Sequence, residues 1–323
     1  MKENDMEYYE ELRKEALTIP YSKIANTYHC MMTPLAMFLN KKVAAEKAEK
    51  DAYGSVRKRV VFGRENLPKD GCLYVANHTN VSDMSSVYDG IKRQFYVMAD
   101  ANQLDEPATK FFNGLIGVTY VKRCFSEDEL AGIESGTYSV PEELTGRHAK
   151  LFMINRLMHG QNCLMFIEGT WNMSHNELVL PCKYGCIDIA IAAKVPIVPV
   201  CLEYLYEKNM EIISIEKPLY FDESTDRKEA IEDVRSAIAS RKWEIMLEHA
   251  KANYSDVNRN TFEEIIIKNL FGYIVFPPLE EMCVIYTYDE FDAWKRRAQY
   301  DRLYWVHQEA CRRYYQVKGK KDK

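Results

Sequence analysis

The chain is predicted to be an α/β protein: a mixed, partly parallel sheet flanked by helices, with helical extensions at the N- and C-terminal ends. Three observations predict this. Short apolar runs such as Leu73-Tyr74-Val75-Ala76 and Cys163-Leu164-Met165-Phe166-Ile167 have the length and bounded character of buried strands. From about residue 56 to residue 200 such runs alternate with helix-like segments, the order expected of parallel strands joined by crossover helices. Two of the runs end in residues with reactive side chains, Asn77-His78 and Glu168-Gly169, at the carboxyl ends of strands, where open α/β sheets place their ligands.

In order, residues 4–19 form a charged helix. Residues 24–39 are apolar, Met-rich and flanked by Lys23, Lys41 and Lys42. Pro34 interrupts this piece, which is too short to span a bilayer. It is either an amphipathic segment lying in the membrane interface or a helix packed on the domain. Residues 56–62 alternate charged and apolar around Arg57, Lys58 and Arg59 and read as an edge strand. Residues 73–76 are a buried strand, 83–92 a helix, 94–99 a strand, 107–113 a helix, and 117–123 a strand ending in Lys122 and Arg123. Residues 124–146 are acidic, rich in Ser and Gly, and contain Pro141, so a long surface loop is expected. A helix over 147–160, a strand over 162–167, a helix opened by Lys183-Tyr184-Gly185 and running to 194, and a strand over 195–200 complete the alternation. Beyond 205 the pattern changes to a strand or hairpin arm over 211–220 and a long helix over 226–253, with Ile231, Val234, Ile238 and Trp243 on one side. An aromatic-rich helix is expected over 288–314. The chain divides into an N-terminal helical segment (1–50), an α/β domain (51–255) and a C-terminal helical extension (256–323).

The 323 residues are 47% hydrophobic and 28% charged, an ordinary globular balance. A net charge of −5 gives no global signal for nucleic acid. The basic clusters at 57–59 and near Lys318 and Lys323 read as solvated surface. Nine cysteines, an odd number with several in apolar runs, fit buried free thiols in a reducing compartment better than disulfides. Cys182 and Cys186, with His175 upstream, have no fourth partner at zinc spacing, so no metal is expected. No signal peptide or membrane-spanning run is visible, and a cytoplasmic protein is expected.

His78 and Asp83 carry the candidate chemistry. Imidazole takes a proton near neutral pH, and a carboxylate on its other nitrogen fixes the tautomer. Five residues along an ideal helix turn through roughly 500°, leaving two side chains about 140° apart. The pair therefore meets only if His78 lies in the turn and Asp83 in the first helical turn, where the dipole favours the ionised acid. Taken alone, the pattern also fits a capping Asp beside a loop His.

Four signatures stand in order: Asn77-His78-x-x-x-x-Asp83, Gly117-x-x-Tyr120-Val121-Lys122-Arg123, Phe166-Ile167-Glu168-Gly169-Thr170, and Val195-Pro196-Ile197-Val198-Pro199-Val200. Over roughly residues 55–205 this set resembles the glycerolipid acyltransferases, the family of glycerol-3-phosphate and 1-acylglycerol-3-phosphate acyltransferases. The resemblance implies transfer of a fatty acyl group from acyl-CoA or acyl carrier protein to a hydroxyl of a lysophospholipid or related lipid, with no further cofactor. It implies His78 as general base and Asp83 as its orienting acid. By the same resemblance Arg123, helped by Lys122, meets an anionic headgroup, Glu168 positions the acceptor or other site residues, Gly169 offers a backbone N–H to the oxyanion, and Thr170 offers its hydroxyl. Peripheral contact with the inner face of the membrane follows from a lipid acceptor. Two positions depart from the family pattern: Trp171 stands where an arginine is usual and Ile167 where a proline is usual. Losing the arginine removes a phosphate-fork donor, so the acceptor is open, and a bulkier headgroup or another hydroxylated lipid fits as well. A thioester hydrolase and a non-catalytic lipid-binding scaffold are the alternative readings.

Overall fold

The computed structural model describes residues 3–50, 58–78, 83–101, 104, 107–122, 125, 127–169, 172, 178–205, 210–251 and 257. The C-terminal helix expected over 288–314 lies outside them. Seven strands form one sheet: β1 (Lys58–Phe62), β2 (Leu73–Ala76), β3 (Tyr96–Asp100), β4 (Val118–Val121), β5 (Cys163–Phe166), β6 (Ile197–Leu205) and β7 (Met210–Ile215), in the spatial order β1-β7-β6-β2-β5-β3-β4. Every neighbouring pair is parallel except β6 with β7. This is the mixed, mostly parallel sheet expected. β2 lies between β5 and β6, with Ala76 level with Phe166 on one side and Val200 on the other.

Strand residues alternate between two apolar layers, as period-two geometry requires. Leu73 and Val75 face a layer shared with α1 (Glu3–Ala16), α6 (Gly146–Met158), α7 (Gly185–Ala193) and α8 (Arg227–Ala250). Tyr74 and Ala76 face the other, shared with α2 (Lys23–Lys50), α3 (Asp83–Ile91) and α4 (Pro107–Ile116). Both faces are covered, which is why the central strands read as continuous apolar runs instead of alternating ones. The two N-terminal helices sit on opposite faces. α1 buries Tyr9, Leu12 and Ala16, and α2 buries Ala36 and Met37. The apolar piece over 24–39 is thus a helix packed on the domain that also keeps an exposed apolar side.

Three expectations are corrected. The stretch 124–146 is not a continuous loop: it contains α5 (Glu127–Ser135) and a short 3-10 turn at Glu142–Leu144. The acidic run at 127–129 falls in the first turn of α5, where the helix dipole favours negative charge. Gly136, at φ 73, supplies the left-handed residue after its end. On α8, Ile231, Val234 and Ile238 face inward as expected, but the next buried position is Lys242, not Trp243. The helical repeat reaches 242 four residues after Ile238. Of the basic cluster, Lys58 is exposed as expected, but Arg59 is partly buried and binds Asp89 at 2.5 Å and Glu211 at 2.8 Å.

Gly117 opens β4 at φ 78, and a Cβ there would lie 2.5 Å from the Tyr96 ring. That ring is held edge-on to His29 and Phe152 and cannot swing clear. Gly117→Ala should therefore lower unfolding free energy by about 1–3 kcal/mol, read as a lower midpoint in urea; an unchanged midpoint would show the turn to be tolerant.

Candidate active site

The site is built where β2 ends. The buried Asn77 side chain donates to the Leu202 carbonyl at 2.9 Å and accepts the Leu202 N–H at 2.8 Å. Its amide thus continues the β2–β6 ladder while the main chain turns away. His78 follows with both backbone groups bound. Its N–H donates to Glu168 Oε1 at 3.0 Å, and its carbonyl accepts from the Asn172 N–H at 2.8 Å.

Asp83 is the first residue of α3 and is 1% exposed. Its Oδ2 lies 2.8 Å from His78 Nδ1. The sequence spacing works as required, with the histidine in the turn and the acid in the first helical turn. The imidazole stacks on Phe166, the last residue of β5, with centroids 4.1 Å apart and planes at 16°. Its side chain keeps 23% exposure. A proton on Nδ1, donated to Asp83, leaves Nε2 as the lone-pair nitrogen.

Glu168 is fully buried and faces the His78 turn from beneath. Besides His78, its Oε2 accepts the Leu180 N–H at 2.9 Å. Burial is the largest influence on its carboxyl and pushes it up to about 7; the two backbone N–H groups and the Lys242 ammonium pull it down, and Asp83 pushes it up further. Of the two roles expected for Glu168, the geometry brings it to another site residue. Gly169 takes the left-handed conformation at φ 66, and its N–H donates to the Phe166 carbonyl at 3.0 Å. That N–H closes the turn; the oxyanion donor expected there is not presented in this conformation.

Lys122 follows β4. Strands β2, β5, β3 and β4 are parallel, so His78, Glu168 and Lys122 come to the same edge of the sheet. β2 and β4 are three strand spacings apart, roughly 14 Å. The Lys122 ammonium is 2.6 Å from Glu129 on α5. Arg123, Thr170 and Trp171 lie outside the described residues. Sequence reasoning missed Asn77 as a side-chain clamp, the stacking of Phe166 and the burial of Lys242; Asn77, inside the first signature, and Phe166, inside the third, carried a signal, and Lys242 carried none. Among the described thiols, burial pushes Cys72 up to about 11 and Cys186 to about 12, which disfavours the nucleophilic thiolate at both.

Residues 58–203 match a family model described as Acyltransferase. The matched span begins with β1 and ends within β6, and it contains His78, Asp83, Lys122 and Glu168. Among solved structures, this chain is similar to the crystal structure of the 1-acyl-sn-glycerophosphate (LPA) acyltransferase PlsC from Thermotoga maritima, at 18% identity, over 73% of this chain and 97% of that one, with a TM-score of 0.43. No curated protein sequence matches.

The raised carboxyl of Glu168 has a signed consequence for stability. The folded state holds a proton there up to about pH 7, while the unfolded chain releases it near 4.5. The contribution to stability is full below about pH 4.5 and is lost as pH rises through about 7. The stability of the wild type relative to Glu168→Gln should fall by about 3 kcal/mol across that window in urea unfolding. A pH-independent difference would mean that Glu168 ionises normally.

Proposed function

We propose that the protein is an O-acyltransferase that moves a fatty acyl group from acyl-CoA or acyl carrier protein to a hydroxyl of a lysophospholipid or related lipid. The observation that carries this reading is the His78–Asp83 pair, 2.8 Å apart at the carboxyl end of the central strand within the acyltransferase-family span. His78 Nε2 takes the proton of the acceptor hydroxyl as its oxygen attacks the thioester carbonyl. The tetrahedral intermediate collapses with cleavage of the carbon–sulfur bond, and the imidazolium returns the proton to the departing thiolate. Asp83 holds the ring and stabilises its charged form, as the acid does in hydrolase triads. The nucleophile is the acceptor itself, so no acyl-enzyme is needed.

Lys122 and Arg123 are proposed to meet the acceptor's anionic headgroup. For Lys122 the incoming anion competes with the Glu129 carboxylate already 2.6 Å away. His78→Ala should abolish transfer from labelled acyl-CoA to every member of a lysolipid panel while leaving the thermal midpoint nearly unchanged; retained activity would refute the role of His78. Free fatty acid released regardless of acceptor would instead identify a thioester hydrolase.

We also propose that the protein works at the inner face of the membrane, with α2 as the contact. Among the described residues no helix is long and apolar enough to cross a membrane. Ile24, Tyr28, Met31, Leu35 and Phe38 recur at helical spacing on α2, and all are exposed, Ile24 at 83% and Met31 at 72%. Phe111 extends the apolar surface on the adjoining α4. Exposed Lys23 and Lys42 flank the stripe, suiting it to anionic lipid, and a lipid acceptor makes the bilayer the occupant. Met31→Glu with Phe38→Glu should reduce co-sedimentation with phosphatidylcholine–phosphatidylglycerol vesicles about tenfold or more, at unchanged thermal stability. Equal binding would place the contact elsewhere.

A further inference from the structure

The signatures that reach the carboxyl edge of the sheet are poor in positive charge. Of residues 77–83, 117–123 and 166–170, only the second stretch holds lysine or arginine, as Lys122 and Arg123. Lys122 falls on the same face of the sheet as the His78 ring. Val118 packs against the layer of Tyr74 and Ala76, and the period of two carries that face from Val118 to Lys122. His78 comes to the same face, because its ring stacks on Phe166 of that layer and meets Asp83 on α3. The Lys122 main chain is tied down, its N–H donating to the Leu144 carbonyl at 2.9 Å. Its ammonium lies 2.6 Å from Glu129 Oε1, and the two side chains are 19% and 26% exposed. Helix α5 therefore sets a carboxylate against a cation of this edge. The pair is sheltered enough to escape much of the screening that weakens fully solvated charges.

We propose that the Lys122–Glu129 pair selects the acceptor by accepting a zwitterionic lysophospholipid headgroup, its phosphate to Lys122 and its primary ammonium to Glu129. The proposal rests on the acyl-transfer reading of His78 for the reaction the acceptor undergoes, but not for the choice of headgroup. A phosphate monoester carries about −1.5 to −2 charges at pH 7. Brought to Lys122, it also approaches the Glu129 carboxylate, and the repulsion offsets much of the attraction. An anionic diester without an amine meets the same opposition with one charge. A diester ending in an ethanolamine ammonium brings the opposite sign to each member of the pair. The Lys122–Glu129 contact is then exchanged for two charge-assisted contacts, and no charge leaves water without a partner.

The test uses three lysophospholipids with the same short acyl chain, each below its critical micelle concentration: the phosphate monoester, the glycerol diester and the ethanolamine diester. The full chain is compared as wild type, Glu129→Gln and Asp128→Asn, the last an exposed acid in the same helical turn that serves as control. Two quantities are read for each headgroup: kcat/KM with labelled acyl-CoA, and Kd by equilibrium dialysis without a donor. The wild type should favour the ethanolamine diester over the monoester about tenfold or more in both. Glu129→Gln should weaken the ethanolamine diester about tenfold, the size of one lost charge-assisted hydrogen bond, and strengthen the monoester. Asp128→Asn should keep the wild-type order. A wild type that favours the monoester, binds none of the three, or loses all three equally on Glu129→Gln overturns the proposal, because a merely structural ion pair would not change the order of headgroups. If dialysis gives the expected order while no acceptor is acylated, the acyl-transfer reading fails and headgroup selection stands. If acylation proceeds with no order among headgroups, selection fails and the acyl-transfer reading stands.

Discussion

The site depends on one constraint: the main chain of His78 is bonded on both sides while its ring stays partly exposed. The N–H goes to Glu168, the carbonyl to Asn172, and the preceding Asn77 is tied by its side chain to Leu202. These bonds reach β5, β6 and the loop before α7, all neighbours of β2. A parallel sheet alone would end with unpaired main-chain groups at its carboxyl edge. Here those groups are taken up by side chains, and the histidine is fixed without being sealed in. The ring then needs only two further contacts, Asp83 at one nitrogen and Phe166 beneath its face, to be left with a defined tautomer and orientation.

The electrostatics of the arrangement are tightly balanced. Two carboxyl groups serve one histidine, Asp83 at the ring and Glu168 at the backbone, and Asp83 makes Glu168 harder to ionise. Asp83 sits at a helix N-terminus, where the dipole supports its charge. Glu168 has no helix terminus to rely on and draws instead on two amide protons and a distant ammonium. At the far end of the same edge Lys122 is paired with Glu129, so the cation expected to meet a headgroup already carries an anion.

Much of this was legible in the sequence. The apolar runs at 73–76 and 163–167 announced the central strands because both of their faces are buried. The five-residue step from His78 to Asp83 fixed which side of the helix boundary each must occupy. Other parts had no local signature. α5 was hidden by the Ser- and Gly-rich residues around it. The burial of Lys242 depends on Glu203, a partner 39 residues away that no periodicity rule connects to it. The turn bond of the Gly169 N–H depends on the φ of 66 at that residue, which the residue type permits but does not dictate.

The placement of α1 bears on what counts as a self-sufficient unit. Arg13 donates to the carbonyls of Ile191 and Ala192 at the end of α7, and the helix seals α6 and α7 with Tyr9, Leu12 and Ala16. A fragment cut to the boundaries of residues 58–203 would lose that lid, the α2 cover on the opposite face, and the long helix that roofs β6. Its sheet would be stripped on both sides and would favour clumping over solubility. The stretch that relatives share in sequence is therefore smaller than the stretch that can stand alone in water.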